Sequence, residues 1–266
     1  MKNFKDKIVV VTGAASGMGK AYALEFAKLG AKLALCDFNF EDLQKVALTV
    51  ESIIGKESVY TQNVDVSDKD QVFDFADKVK STFGNAHVVI NNAGIEGAVV
   101  QFKDIDISDY KRVMDINFYG VVYGSKAFLP QLEANNEGAL VNVASIFGLI
   151  GVIANTDYCA SKFAVTGFTE SLVLEYYKSP ISIHCLHPGG INTNIAHKSE
   201  NQEFSKKYLI TPPSDIVKYV IKSIQVNRPK IVYGEGSFKA RFAANFLPKK
   251  LYNFLAWKEF KKTLKH

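Results

Sequence analysis

A chain of 266 residues with 47% hydrophobic and 22% charged side chains has room for a single α/β domain whose core is large enough to be stable alone. Its net charge of +5 sits at one end: residues 238–266 hold eight Lys or Arg against one Glu, leaving −2 on residues 1–237, which with no DNA- or RNA-binding motif excludes a nucleic-acid surface spread over the fold. The three cysteines, Cys36, Cys159 and Cys185, are odd in number and far apart, so neither a disulfide framework nor a metal site is expected, and with no apolar leader and no run of ~18 apolar residues the expectation is a cytoplasmic protein.

In chain order, Ile8-Val9-Val10-Val11 is the short continuous β-branched run of a buried parallel strand. Thr12-Gly13-Ala14-Ala15-Ser16-Gly17-Met18-Gly19 follows it, and the Ala-, Leu- and Lys-rich residues beyond predict a helix over 17–29. Glycines on such a strand-to-helix turn let the backbone approach a pyrophosphate, and the helix N-terminus offers free amides and positive potential. A strand over 32–36 ends at Asp37, eighteen residues after Gly19. A carboxylate there can accept both ribose hydroxyls of an adenosine and would repel a 2′-phosphate. Ser16, Phe38 and Asn39 supply no basic partner for such a phosphate, so NAD is expected rather than NADP.

Further along, a helix over 41–54 and a strand over 58–62 lead to Asn63-Val64-Asp65-Val66. A helix over 69–83 and a strand over 87–90 lead to Asn91-Asn92-Ala93-Gly94. Both tetrapeptides lie where a cofactor would run, and both also read as ordinary Asx or Gly turns. A helix over 108–131 carries Asn117 in a mainly apolar stretch, either as a satisfied interior polar group or as the holder of a water. A strand over 138–143 precedes Ser145, a helix over 157–177 follows, and a strand over 182–186 precedes Pro188-Gly189-Gly190-Ile191-Asn192-Thr193. A helix over 213–225 and a strand over 231–233 complete the alternation. This rhythm predicts a Rossmann-type, doubly wound α/β fold: a mostly parallel seven-stranded sheet with helices on both faces.

Tyr158 and Lys162 are four residues apart in Tyr158-Cys159-Ala160-Ser161-Lys162, so on a helix they share a face. A phenol titrates near ~10 and is a poor base at neutral pH; an ammonium one turn away is expected to lower that value and make the tyrosine a proton acceptor. Ser145, thirteen residues earlier, can face the tyrosine from a neighbouring strand end.

Over about residues 7–193 the ordered set of glycine loop, Asn91-Asn92-Ala93-Gly94, Asn117, Ser145 and Tyr158/Lys162 resembles the short-chain dehydrogenase/reductase family, in its single-domain branch. The resemblance implies that Tyr158 is the general acid/base and that Ser145 hydrogen-bonds the reacting oxygen. It implies that Lys162 binds the nicotinamide ribose and depresses the tyrosine pKa, and that Asn117 orders a relay water. On the cofactor side it implies Gly13, Ser16, Gly17, Met18 and Gly19 at the phosphates, Asp37 at the adenosine ribose, and Asp65 and Val66 at the adenine. Asn91 falls at the adenosine segment, Ile191 and Thr193 at the carboxamide. Met18 stands where isoleucine is commoner, a volume-conserving change.

The expected activity is therefore NAD(H)-dependent interconversion of a secondary alcohol and a ketone. An NADPH-dependent carbonyl or 3-oxoacyl reductase is the alternative, and a non-enzymatic nucleotide-binding scaffold is disfavoured by the complete catalytic set. Expected pocket walls are residues 96–99, 146–147, 150–155 and a loop over 195–208, within a substrate loop at about 190–212. Ile146, Phe147, Ile150, Val152, Phe204 and Tyr208 make them mainly apolar, which favours a fairly apolar small molecule. Residues 1–237 read as the catalytic domain and 238–266 as a basic, aromatic extension with seven aromatic residues. Those aromatics are expected to pack on the domain or a partner subunit near the pocket mouth, in a homo-oligomer (dimer or tetramer). Contact with an anionic membrane is the less favoured reading, because from Leu247 onward the apolar positions gather onto no single clean face.

Overall fold

The computed structural model describes residues 1–193 and 209–261. Seven strands form one sheet: β1 (Ile8–Thr12), β2 (Lys32–Asp37), β3 (Val59–Asn63), β4 (Val88–Asn91), β5 (Gly138–Val143), β6 (Ile181–Pro188) and β7 (Lys230–Tyr233). Their order is β3-β2-β1-β4-β5-β6-β7, and every pairing between neighbours is parallel. The helices are α1 (Gly17–Lys28), α2 (Phe40–Ile54), α3 (Lys69–Phe83), α4 (Ile107–Met114), α5 (Gly120–Ala134), α6 (Thr156–Glu175), α7 (Pro213–Gln225), α8 (Ser237–Phe246) and α9 (Lys249–Phe260).

The continuous apolar strands exist because both faces of the sheet are covered. Val9, Val11, Leu33 and Leu35 pack with Tyr22, Phe26, Leu43 and Ile216, from α1, α2 and α7. Val10, Ala34, Val89 and Leu140 point the other way, to Val72, Phe75, Phe128 and Leu132 of α3 and α5. The chain winds outward from β1 to β3 and then returns to lay β4 on the other side of β1. That reversal opens a crevice beyond the carboxyl ends of β1 and β4, where open α/β sheets hold ligands.

Two departures from the sequence expectation matter. The single helix over 108–131 is broken by a π-helical turn, Asp115–Tyr119, between α4 and α5; such insertions are rare and cluster at functional sites. The extension also folds into two helices, α8 and α9; Phe238, Phe242 and Phe246 recur at helical spacing along the first, and the second, beyond Leu247, has no single apolar face to announce it.

Candidate active site

At the end of β1 the chain turns at Gly13, φ +67°, a left-handed conformation that glycine adopts without strain. Helix α1 is pressed hard onto this turn: a Cβ on Gly19 would stand 1.9 Å from the Gly13 carbonyl oxygen. Gly19→Ala is therefore expected to cost about 1–3 kcal/mol as backbone is forced apart, read as a fall of several degrees in Tm. Ser16, the α1 N-cap, is exposed and makes no side-chain capping bond, so its hydroxyl does not compete for the amides of the first helical turn.

Two residues given no role in the sequence reading lock this turn to β4. Thr12 Oγ1 accepts the N–H groups of Asn92 and Ala93, each at 3.0 Å. Asn92 Nδ2 donates to the carbonyls of Thr12 (3.0 Å) and Gly13 (3.2 Å). A threonine closing the strand and a second Asn in the Asn-Asn-Ala-Gly motif were the available signals. Asp37, at the end of β2, reaches across the same turn: Oδ2 accepts the Ala15 N–H (2.9 Å) and Oδ1 the Asn39 N–H (2.8 Å). Phe38 beside it is exposed.

Asp65 Oδ1 accepts from the Ser67 backbone (2.9 Å) and hydroxyl (2.6 Å), and Val66 is buried against Gly120. Asn91 ends β4 with its side chain turned into the protein. Its amide is buried beneath the sheet, donating to Asn142 Oδ1 (2.9 Å) and Ser125 Oγ (3.2 Å), which leaves its main chain as the part available to a ligand. Ile191 is buried in a bridge to Thr211. Thr193 adjoins the glycine loop, 3.2 Å from where a Gly17 Cβ would be. The expected pocket residues over 195–208, Phe204 and Tyr208 among them, lie outside the described residues.

The chemistry-bearing side chains gather beyond β5. Ser145 caps the short turn Ile146–Gly148, its Oγ accepting the Phe147 N–H at 3.1 Å. Tyr158 stands in the first turn of α6 with Phe147 edge-on to its ring, centroids 6.3 Å apart. Lys162 is buried one turn on; its Nζ donates to the Val143 carbonyl at 3.1 Å and lies 5.6 Å from the Tyr158 ring centroid. Asn117, fully buried in the π turn, accepts the Ile95 N–H (2.8 Å) through Oδ1 and donates to the Ile95 carbonyl (3.0 Å) and Ser161 Oγ (3.2 Å). Both amide hydrogens are thus engaged, and one lone pair on Oδ1 remains for a water.

Electrostatics here correct the sequence expectation. The Tyr158 hydroxyl is pushed up to about 12, first by burial, with a hydrogen bond to Ser145 opposing and the charges of Glu96 and Cys159 adding to the rise. Lys162 is pushed down to about 8 by burial. The ammonium lies over the ring face and binds the Val143 carbonyl, so its charge is not directed at the phenol oxygen.

Three contacts around this group were invisible in the sequence. Asp157, fully buried, accepts the N–H of Tyr158 (2.8 Å) and of Ala98 (2.9 Å), tying the loop after β4 to the helix that carries the tyrosine. A Cβ on Gly97 would fall 2.3 Å from that carboxylate. Glu96, half-buried, is held above the usual carboxylate range by burial and by Asp157. His187 on β6 donates through Nδ1 to the Ser145 carbonyl at 3.0 Å, and burial holds it neutral, down to about 4.

Helix α9 lies against the segment preceding α6. The Tyr252 hydroxyl donates to the Gly151 carbonyl, and a cavity of about 460 Å³ separates Gly151, Val152 and Cys159 from Tyr252, Ala256 and Trp257. No helix among the described residues is long and apolar enough to cross a membrane.

Comparison with known proteins gives this geometry a setting. The family model described as short chain dehydrogenase matches residues 7–203. Cyclohexanol dehydrogenase of an Acinetobacter strain is 38% identical over 208 residues, 78% of this chain and 82% of that protein. A Burkholderia phymatum short chain dehydrogenase/reductase, solved in complex with NAD, superposes with a TM-score of 0.81 at 29% identity, over 87% of this chain and 90% of the other. An alcohol dehydrogenase from Thermococcus sibiricus, complexed with 5-hydroxy-NADP, gives 0.78 at 25% identity, over 86% and 96%.

Proposed function

The chain belongs to the short-chain dehydrogenase family, an oxidoreductase acting on CH–OH groups, and we propose that it interconverts a fairly apolar secondary alcohol and its ketone with NAD(H). The observation that carries this reading is the meeting of the Ser145 hydroxyl, the Tyr158 phenol and the buried Lys162 ammonium beyond β5, beside a glycine turn spanned by the Asp37 carboxylate.

The residues present fit a dinucleotide. The close-packed glycine turn keeps backbone free of side chains at the start of α1. Lys162 has three hydrogens to donate and gives one of them to the Val143 carbonyl, so the ammonium is suited to the nicotinamide ribose. Asp37 would hold the adenosine ribose, Gly13, Ser16, Gly17, Met18 and Gly19 the phosphates, Asp65 and Val66 the adenine, the Asn91 main chain the adenosine segment, and Ile191 and Thr193 the carboxamide. When bound, the nicotinamide supplies or receives the hydride.

On the protein side, Ser145 Oγ donates to the substrate oxygen and steadies charge developing on it. Tyr158 gives its proton to that oxygen as a ketone is reduced, and takes the hydroxyl proton as an alcohol is oxidised. Asn117 holds the water through which Lys162 resupplies the proton. Phe147 packs edge-on against Tyr158, and Ile150 and Val152 follow it closely in the chain, so the side chains nearest the tyrosine on this side are apolar. That supports a hydrophobic substrate over a sugar or phosphate ester. We treat residues 1–237 as the catalytic unit and the two C-terminal helices as an extension that adds to this side.

Asp37 supports NAD over NADP because its charge would oppose a 2′-phosphate while Phe38 and Asn39 offer it no cation. The test is initial rates with a panel of alcohols and ketones, each run with both cofactors. Wild type is expected to favour NADH by at least about tenfold, ~1.4 kcal/mol of discrimination, and Asp37→Ser with Phe38→Arg to move the preference toward NADPH. A wild type that already prefers NADPH makes the carbonyl or 3-oxoacyl reductase reading the correct one.

A further inference from the structure

Helices α8 and α9 carry an apolar surface that the catalytic reading does not use. On α8, Ser237 and Ala240 are buried against the domain, while Phe238, Phe242 and Phe246 recur every four residues along the opposite face, 80%, 48% and 72% exposed. Phe242 and Phe246 lie ring to ring, 5.4 Å between centroids. The chain turns at Leu247-Pro248. On α9 the side that meets the domain carries Tyr252, Ala256 and Trp257, and Leu251, Phe254 and Leu255 project from the opposite side, all exposed. The apolar positions of the extension thus divide between a docked face and an outer face. Of the extension's aromatics, which were expected to pack on the domain or a partner subunit, Tyr252 and Trp257 face the domain, and Phe238, Phe242, Phe246 and Phe254 do not.

The charge around this surface has one sign. The two helices and the residue after them carry Lys239, Arg241, Lys249, Lys250, Lys258 and Lys261, with Glu259 the single acid between residues 237 and 261; Lys249 and Lys261 lie over the Tyr252 and Trp257 rings, and the other four are exposed. Aromatic and aliphatic side chains backed by Lys and Arg are the composition of helices that lie in a bilayer interface, where the long cationic side chains reach the headgroups. Protein interfaces, in contrast, are depleted of Lys. Seating a second copy on this face would set cations against cations. We propose that the outer face of α8 and α9 is a docking surface for an anionic phospholipid bilayer. The same helix α9 that would touch the bilayer also walls the cavity beside Gly151 and Cys159, next to Tyr158, so docking would place that side of the enzyme at the lipid. The surface stands independently of the assigned reaction.

The test uses the full chain sedimented with vesicles of phosphatidylcholine alone and of phosphatidylcholine mixed with phosphatidylglycerol, at about 0.1 M salt. Wild type is expected to pellet with the mixed vesicles, weakly with the neutral ones, and less as salt rises. Phe242→Ser with Phe246→Ser and Phe254→Ser should abolish pelleting with Tm unchanged. Lys250→Gln with Lys258→Gln, which leaves every apolar side chain in place, should weaken binding to mixed vesicles roughly ten- to thirtyfold. Wild type that stays in the supernatant with both vesicles overturns the proposal. So does undiminished binding by both folded variants. A dimer that falls to monomer in the triple variant, without vesicle binding by wild type, assigns the face to a second copy instead.

Discussion

Tyr158→Phe is expected to lower kcat by about 100- to 10,000-fold, the usual contribution of a placed general acid or base, and to leave NADH affinity nearly unchanged. The substitution removes one hydroxyl and keeps the ring that Phe147 meets edge-on. The glycine turn, Asp37 and Lys162 stay as they are, since Asp37 holds the Ala15 N–H and Lys162 the Val143 carbonyl rather than the phenol oxygen. The pH behaviour gives a second readout. With its hydroxyl pushed up to about 12, Tyr158 is protonated across the neutral range and ready to donate. Alcohol oxidation in wild type should therefore speed up as pH rises, because the proton acceptor is the minor form, while the variant's residual rate should be flat. Stopped-flow turnover and NADH fluorescence titration check both halves. A loss of only a few-fold would assign proton transfer to another group, and Glu96, whose charge acts on the phenol, would be the first to examine.

How far the sequence could be read depended on the range of the interaction. Strands β1 and β4 announce themselves because burial on both faces demands unbroken apolar runs such as Ile8-Val9-Val10-Val11. The turn at Gly13–Gly19 was legible because close approach and positive φ leave few residue types besides glycine. The break at Asp115–Tyr119 was not, since a π insertion leaves the local composition of a helix intact. The direction of the Asn91 amide is set by Ser125 and Asn142, 34 and 51 residues away. The Asp157 clamp on Ala98 spans 59 residues and the His187 bond to Ser145 spans 42. Periodicity carries no trace of such pairs. On α9 the signal was present but divided, because two apolar faces on opposite sides cancel the one-sided pattern that marks an amphipathic helix.

Lys162→Ala is expected to separate stability from function. Lys162 is buried and pushed down to about 8 from an ordinary 10.5, which corresponds to a cost of about 3 kcal/mol for holding the ammonium inside the fold. For a base whose folded value is depressed, the unfolded chain holds a proton that the folded chain resists. The cost is therefore complete below pH 8 and fades as pH rises from 8 to 10.5. Alanine removes that cost and leaves the Val143 carbonyl, which Lys162 now satisfies at 3.1 Å, without its donor, a loss of about 1–3 kcal/mol. The two nearly offset, so Tm at neutral pH should hold or rise slightly. Cofactor affinity should fall at least about tenfold and kcat/KM by about a hundredfold or more, because one ammonium is proposed to hold the ribose and feed the proton relay. If the charged form is the one that binds, wild-type NADH affinity should also decline as pH climbs through 8, while the alanine variant shows no such slope. Calorimetry and NADH titration from neutral to alkaline pH decide the matter: a sharp drop in Tm with affinity intact would make Lys162 a structural residue and remove the ribose contact from the mechanism.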